Sequence, residues 1–420
     1  MKILAIETSC DETAIAIVEA QKTGSKTKFK ILGNDLSSQI ALHTQYGGVF
    51  PMMAKREHGK NILNIVEKVL KEAKMYKPNK SVSYEGKIVK IIDNILDREN
   101  ELKELWPKII PTITKPKIDA IAVTTGPGLE PALWVGISFA KALGTYWNIP
   151  VIPVNHMEGH IFSIFPKKGK TFVVDSDKKI FPMISLLVSG GHTELIFVKD
   201  WQKYKKIGQT RDDAAGEAFD KVARMLGLPY PGGPEISKLA EIERGSSSKL
   251  FKFSGPRMRE DEEPDHKNLN NLLPSISLPR PMINSKDYDF SFSGLKTAVL
   301  YLIRDLKEKN PNVLEDIKIK QEIAREFEDA VIETLVHKTI KAMKEYQVKT
   351  LIVGGGVSAN KYLKEIMTKV IKENKLKTKV HFPSKSLTGD NALMIAIAGF
   401  FQFKKKNSRL PLKANGNLQL

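Results

Sequence analysis

The feature that most constrains this chain is a unit that occurs twice: an apolar strand, a short polar or glycine-rich loop, and a second apolar strand. The first copy runs KILAI (2–6), the loop ETSCDE, then TAIAIVEA (13–20). The second runs PMISLLV (182–188), SGGHT (189–193) and ELIFV (194–198). Short apolar runs bounded by turn formers read as buried strands. Strand-like and helix-like segments alternate through most of the rest, the pattern of an α/β protein. The repetition predicts two related domains with a central cleft; a chance pairing of two hairpins is the alternative. At 420 residues, 41% of them hydrophobic, the chain has ample material for buried cores.

A first domain is expected over 1–150, because ISFAKALGTYWNIP ends a helical stretch and VIPVN starts a strand. A second follows over 151–390. The apolar helix within 391–403 is expected to pack back on the first domain, and 404–420, KKKNSRLPLKANGNLQL, to be a flexible tail. Polar segments at about 76–117, about 165–180 and about 252–286 read as insertions, the last as loop. No run of 18 apolar residues appears, so no membrane span is expected. A single cysteine, Cys10, fits a reducing compartment, and the chain enters a strand with no leader before it, so a cytoplasmic protein is expected. Sixty-six Lys and Arg against 48 Asp and Glu give a net charge of +18. That excess suits a polyanionic partner, but also a lysine-rich solvated surface, and composition does not separate the two.

NHMEGHIFS (155–163) sets His156 and His160 four apart, on one face if helical. Zinc proteases use that spacing with a glutamate beside the first histidine. Here Glu158 lies roughly 200° around the helix from His156, away from any metal the pair would hold. Asp390, in LTGDNALMIAIAGFF, stands just before an apolar helix. It reads as an N-cap, or as the oxygen donor of a two-histidine, one-carboxylate metal set. A satisfied buried histidine pair is the competing reading. In LVSGGHTEL the amides of Gly190 and Gly191, with the Ser189 and Thr193 hydroxyls, suit an anion-binding nest or an ordinary tight turn. DDAAGEAFDKVARMLGL reads as a helix closed by Gly227, with Glu217 and Asp220 on one face. Gly232 and Gly233 precede Pro234 at a second helix start that offers amides to a ligand. GGGVSAN formally satisfies a dinucleotide fingerprint, but KVHFP (379–383) lacks the ribose-binding acid, which leaves a phosphate or purine site or a plain turn.

ETSCDETAIAIV, NHMEGHIFS, LVSGGHTEL, DDAAGEAFDKVARMLGLPYPGGP, DFSFSGLKTA, GGGVSAN and TGDNALMIA together, in this order from residue 2 to about 400, closely resemble one family. It is the bacterial-type tRNA threonylcarbamoyladenosine transferases (the TsaD family, once called O-sialoglycoprotein endopeptidases). The resemblance implies an actin-like, Hsp70-like ATPase-superfamily fold of two related domains. It implies that His156, His160 and Asp390 hold one divalent metal per subunit, with iron(II) expected and zinc the other candidate. It implies that Leu187, Val188, Ser189, Gly190, Gly191, Asp220, Gly233 and Asn360 line the substrate pocket. The implied reaction moves a threonylcarbamoyl group from threonylcarbamoyl-AMP to the exocyclic amine of the adenosine 3′ of the anticodon, in tRNAs reading codons that begin with A. An actin-like hairpin loop faces the cleft, so one of Asp11 and Glu12 is expected near the reacting groups, Asp11 by preference; that both only cap the turn carries equal weight. Implied partners are tRNA, an inactive paralogue and a small P-loop ATPase. An actin-like ATPase, a metal-dependent hydrolase and a catalytically dead scaffold are the rival functions.

Overall fold

The computed structural model describes residues 1–79, 85–167, 169–175, 178–246, 276–404 and 410–420. They form two compact units, Met1–Ile180 with Phe382–Leu420, and Phe181–His381.

The first unit is built on a six-stranded sheet in the order β5-β4-β1-β2-β3-β6. β1 (Lys2–Glu7), β2 (Glu12–Thr23) and β3 (Lys26–Ser38) form an antiparallel meander. β4 (Ala120–Gly126) pairs parallel to β1, and β5 (Val151–Asn155) parallel to β4. β6 (Thr171–Asp175) closes the other edge against β3. The helices are α1 (Ile40–Thr44), α2 (Pro51–Glu72), α3 (Lys87–Ile95), α4 (Asn100–Ile109), α5 (Glu130–Trp147) and α6 (His156–Phe162). Alternation along the strands divides the sheet between two cores. Leu4, Ile6, Ile15, Ile17, Ile121 and Val123 share one apolar cluster with residues of α2 and α5.

The second unit carries a five-stranded sheet in the order β11-β10-β7-β8-β9. β7 (Met183–Val188), β8 (Thr193–Asp200) and β9 (Lys203–Gln209) are again an antiparallel meander. β10 (Thr350–Gly354) pairs parallel to β7, and β11 (Lys379–His381) parallel to β10. Its helices are α7 (Ala215–Met225), α8 (Gly232–Ser246), α9 (Ser293–Lys309), α10 (Ile317–Glu345) and α11 (Lys361–Glu373). Each unit therefore holds a meander followed by two strands added in parallel beside its first strand. The repeated strand–loop–strand signal in the sequence is the start of each copy.

The last helix, α12 (Ala392–Lys404), returns to the first unit and packs on β1, β2, β4 and β5, as expected. Its Gly399 sits so close to the sheet that an added Cβ would lie 2.5 Å from the Ala122 Cβ.

Three expectations are corrected. The chain changes unit at Ile180, not at 150, because α6 continues directly from β5 and β6 pairs with β3. Segment 76–117 is no polar insertion in its described part: α3, α4 and the residues that cap their ends place Ile92, Leu96, Leu102, Trp106 and Ile110 in the main core. Residues 410–420 do not hang free, since Ala414 is buried and the Asn415 amide bonds the Thr125 carbonyl at 2.9 Å. Of the loop expected over 252–286, only 276–286 fall among the described residues. Among the described residues no helix is long and apolar enough to cross a membrane.

Candidate metal centre

α6 starts where β5 ends, and Asn155 makes the junction. Its Oδ1 accepts from the amides of Met157 (2.8 Å) and Glu158 (3.3 Å), an N-cap that starts the helix at His156. Four-residue spacing then stacks His160 over His156, ring edge against ring face, with centroids 4.6 Å apart. Their Nε2 atoms are 3.1 Å apart. The Asp390 carboxylate arrives from the turn before α12, and Oδ1 lies 3.3 Å from each Nε2. Asp390 is free for this because its neighbour caps the helix: Asn391 Oδ1 accepts from the Met394 amide at 3.1 Å. Glu158 is buried and turned away, accepting from Gln402 at 2.9 Å. The donor atoms of His156, His160 and Asp390 lie within 4.8 Å of one another, a span one metal ion can bridge.

Behind the histidines stands a residue that sequence reasoning missed. Glu7, wholly buried at the end of β1, places Oε2 3.1 Å from His156 Nδ1. Glu7 is itself fixed by the Ser9 amide (2.6 Å) and the Thr124 hydroxyl (2.6 Å). A carboxylate there holds the proton on Nδ1 and leaves the Nε2 lone pair facing His160 and Asp390. Ser9 Oγ bridges, 3.2 Å from His156 Nδ1 and 3.3 Å from Asp390 Oδ2. His160 Nδ1 is buried without a hydrogen-bond partner among the described residues. In KILAIE, Glu7 looks like any polar residue that ends a strand, so no local signal marked it.

The electrostatics favour added positive charge. Among the described residues, the ion pairs of Glu7 and Asp390 are with histidine alone. Burial opposes charging His156, but Asp390 and then Glu7 outweigh it and raise its proton affinity well above the usual range. Burial also opposes an ionised Asp390, yet His156 holds its carboxyl well below the usual range. Two imidazole nitrogens pointed at each other beside a carboxylate need a cation between them, a proton or a metal.

The loop after β1 borders this centre. Burial, then the charges of Asp11 and Asp390, push the Cys10 thiol well up. Burial, then Asp390, then Asp11 likewise raise the Glu12 carboxyl. Asp390's field thus reaches Glu12. Asp11, on the same loop, is buried, and its charge is among those that raise both Cys10 and Glu12. A buried histidine supports the loop from below: His58 Nε2 donates to the Cys10 carbonyl (3.0 Å), and its Nδ1 is 2.7 Å from the Thr13 hydroxyl.

The residues expected to line the substrate pocket all fall in the second unit, linked in series. Leu187 and Val188 end β7; Ser189, Gly190 and Gly191 turn into β8. A Cβ on Gly190 or Gly191 would meet nothing within 4 Å, whereas one on Gly216 would strike the Ser189 carbonyl at 2.5 Å. The loop thus rests on the start of α7. The Thr193 hydroxyl oxygen accepts from the Ala215 amide at 2.9 Å. Asp220 of α7 accepts from the Gly232 amide at 2.7 Å, which joins it to the first turn of α8, where Gly233 has open space. Asn360 caps α11 through the Leu363 amide (2.8 Å) and donates to Ser237 (3.0 Å) and Glu328 (2.6 Å). Its carboxamide has one oxygen lone pair left for a ligand.

A family model described as TsaD: tRNA N6-adenosine threonylcarbamoyltransferase matches residues 30–80 and 111–397. Proteins of that name in Persephonella marina and Dictyoglomus turgidum are similar over the whole chain. The first is 37% identical over 100% of this chain and 95% of its own, the second 39% identical over 100% and 99%. A solved structure, full-length HypF in the phosphate- and nucleotide-bound form, matches 98% of this chain and 47% of that one, at 12% identity and a TM-score of 0.48.

Proposed function

The chain belongs to the tRNA N6-adenosine threonylcarbamoyltransferase family, and on that premise we propose that His156, His160 and Asp390 hold one divalent metal at the centre of its transfer reaction. The enzyme modifies tRNA, placing a threonylcarbamoyl group on the N6 of an adenosine. The observation that carries the metal reading is the pair of Nε2 atoms 3.1 Å apart, each 3.3 Å from Asp390, with Glu7 behind His156.

Threonylcarbamoyl-AMP is the proposed donor, and the adenosine 3′ of the anticodon, in tRNAs reading codons that begin with A, the acceptor. The acyl group arrives activated, with AMP as leaving group, so no water-activating base is required. That removes the puzzle of a histidine pair whose neighbouring glutamate in sequence, Glu158, points away. When bound, iron(II) or zinc supplies Lewis acidity and a template for the transferred group or its phosphate. The amides of Gly190 and Gly191 receive the phosphate, while Asp220, Gly233 and Asn360 take the ribose and base. Asp11 orients the incoming amine or takes its proton after attack, with Glu12 beside it. Adenine's exocyclic amine is a poor nucleophile, so most of the rate must come from positioning and from stabilising the developing oxyanion.

The duplicated topology supports an actin-like architecture for the two units. A cytoplasmic enzyme working with an inactive paralogue and a small P-loop ATPase fits the family reading. An ATPase or hydrolase has no corresponding feature in its favour.

The test is mass analysis of tRNA digests after incubation with donor and enzyme. Wild type should yield threonylcarbamoyladenosine, and His156→Ala should lose both bound metal and product while staying folded. Full metal occupancy in that variant would sink the triad.

A further inference from the structure

Segment 410–420 makes four hydrogen bonds to the metal centre's supports, at two places, 125–130 and Asn155. The Asn415 amide donates to the Thr125 carbonyl at 2.9 Å, and the Gly416 carbonyl accepts from the Gly128 amide at 3.2 Å. The Gly416 amide meets Glu130 Oε1 at 3.2 Å. At the far end, the Gln419 carbonyl accepts from Asn155 Nδ2 at 3.2 Å. Packing is close: a Cβ on Gly126 would fall 1.9 Å from the Asn415 oxygen, and Ala414 is buried in the main core.

Both anchor points lead to the metal ligands. Asn155 is 3% exposed and caps α6, the helix that carries both histidines. Its carboxamide works at both ends, Oδ1 on the helix amides and Nδ2 on the segment, so the segment fixes the cap's rotation. The other anchor, 125–130, lies against the loop after β1. The Leu129 amide donates to the Ser9 carbonyl at 2.8 Å, and the Ser9 hydroxyl is the bridge between His156 and Asp390.

We propose that residues 410–420 are a strap that positions the metal ligands, through Asn155 on one side and through Leu129 and Ser9 on the other. The proposal rests on the metal reading above. The strap touches no ligand itself; it removes freedom from residues that do. Ligand sets are sensitive to such outer supports, whose loss typically weakens metal binding roughly 10–100-fold.

Cobalt(II) is the probe, followed by calorimetry and by its visible spectrum, on three proteins: the full chain, the chain ended after residue 409, and Gly416→Val. A side chain at 416 must displace the strap, because its Cβ would lie 2.9 Å from the Gly128 carbonyl. Both variants should bind cobalt about tenfold more weakly, with an altered spectrum at saturation. Asn155→Ser keeps a capping oxygen but, one atom shorter, loses the Nδ2 that reaches the Gln419 carbonyl. It should weaken binding in the full chain and have no further effect in the shortened one, the signature of a shared contact. Should the shortened chain fail to fold, Gly416→Val carries the test alone. Unchanged affinity and spectrum in a folded strap variant would overturn the strap, as would equal losses from Asn155→Ser in both backgrounds. A full chain that binds no cobalt overturns the metal reading instead.

Discussion

Glu7 makes no contact with a metal donor atom, yet it decides which nitrogen of His156 can be one. With its carboxylate 3.1 Å from Nδ1, the proton belongs there and Nε2 is left as donor. Glu7→Gln keeps the shape but removes the charge that holds the proton. Metal affinity should fall roughly 10–100-fold, read by calorimetry, with little change in fold; an unaltered affinity would leave Glu7 a structural residue. Asp11→Asn asks a different question. If Asp11 serves the amine, transfer should drop by about 10²-fold or more while metal and donor still bind, the scale of general acid–base help. A wild-type rate would reduce it to a structural residue of the turn. At this scale the histidine pair was legible because helical spacing is a local property. Glu7, Ser9 and Thr124 were not, because each acts through a neighbour more than a hundred positions away. Asp390 was half legible: an aspartate before an apolar helix suggests a cap, and only the structure shows Asn391 in that role.

Helix α12 shows what sequence pattern does reveal about elements. ALMIAIAGFF is apolar all round, so it had to be buried on every side, and it lies on the sheet of the first unit. Gly399 permits the close approach to Ala122. Gly399→Val should force α12 off the sheet, cost about 1–3 kcal/mol and lower the melting temperature measured by calorimetry. A melting point equal to wild type would mean the helix can shift freely. Where contacts rather than patterns define an element, reading failed. The strap reads as a flexible tail because its composition is polar; backbone amides and carbonyls hold it, and these leave no trace in side-chain chemistry. The boundary near 150 failed similarly. A helix end and a new strand look like a border, but membership of a sheet is settled by pairing, and β5 and β6 pair with the first sheet.

The formal charge of +18 belongs to the whole molecule. A substrate as anionic as tRNA should bind with counterion release, so affinity should fall by about tenfold or more between 50 and 200 mM salt. Binding that ignores salt would show that the surplus lysines do not meet phosphate. The order of the chain has a further consequence. The first unit is made from two stretches of chain, before Ile180 and after Phe382, with the second unit between them. During synthesis His156 and His160 therefore leave the ribosome long before Asp390 and α12, and the second unit can fold in the interval. Until Asp390 and α12 arrive, one face of the first sheet lacks its covering helix and the histidine pair lacks its carboxylate. Loading of the proposed metal would thereby be tied to completion: an unfinished chain can fold much of its length yet keep an open apolar face and no closed set of the three residues, which would mark it as unfinished to any chaperone or protease that samples exposed hydrophobic surface.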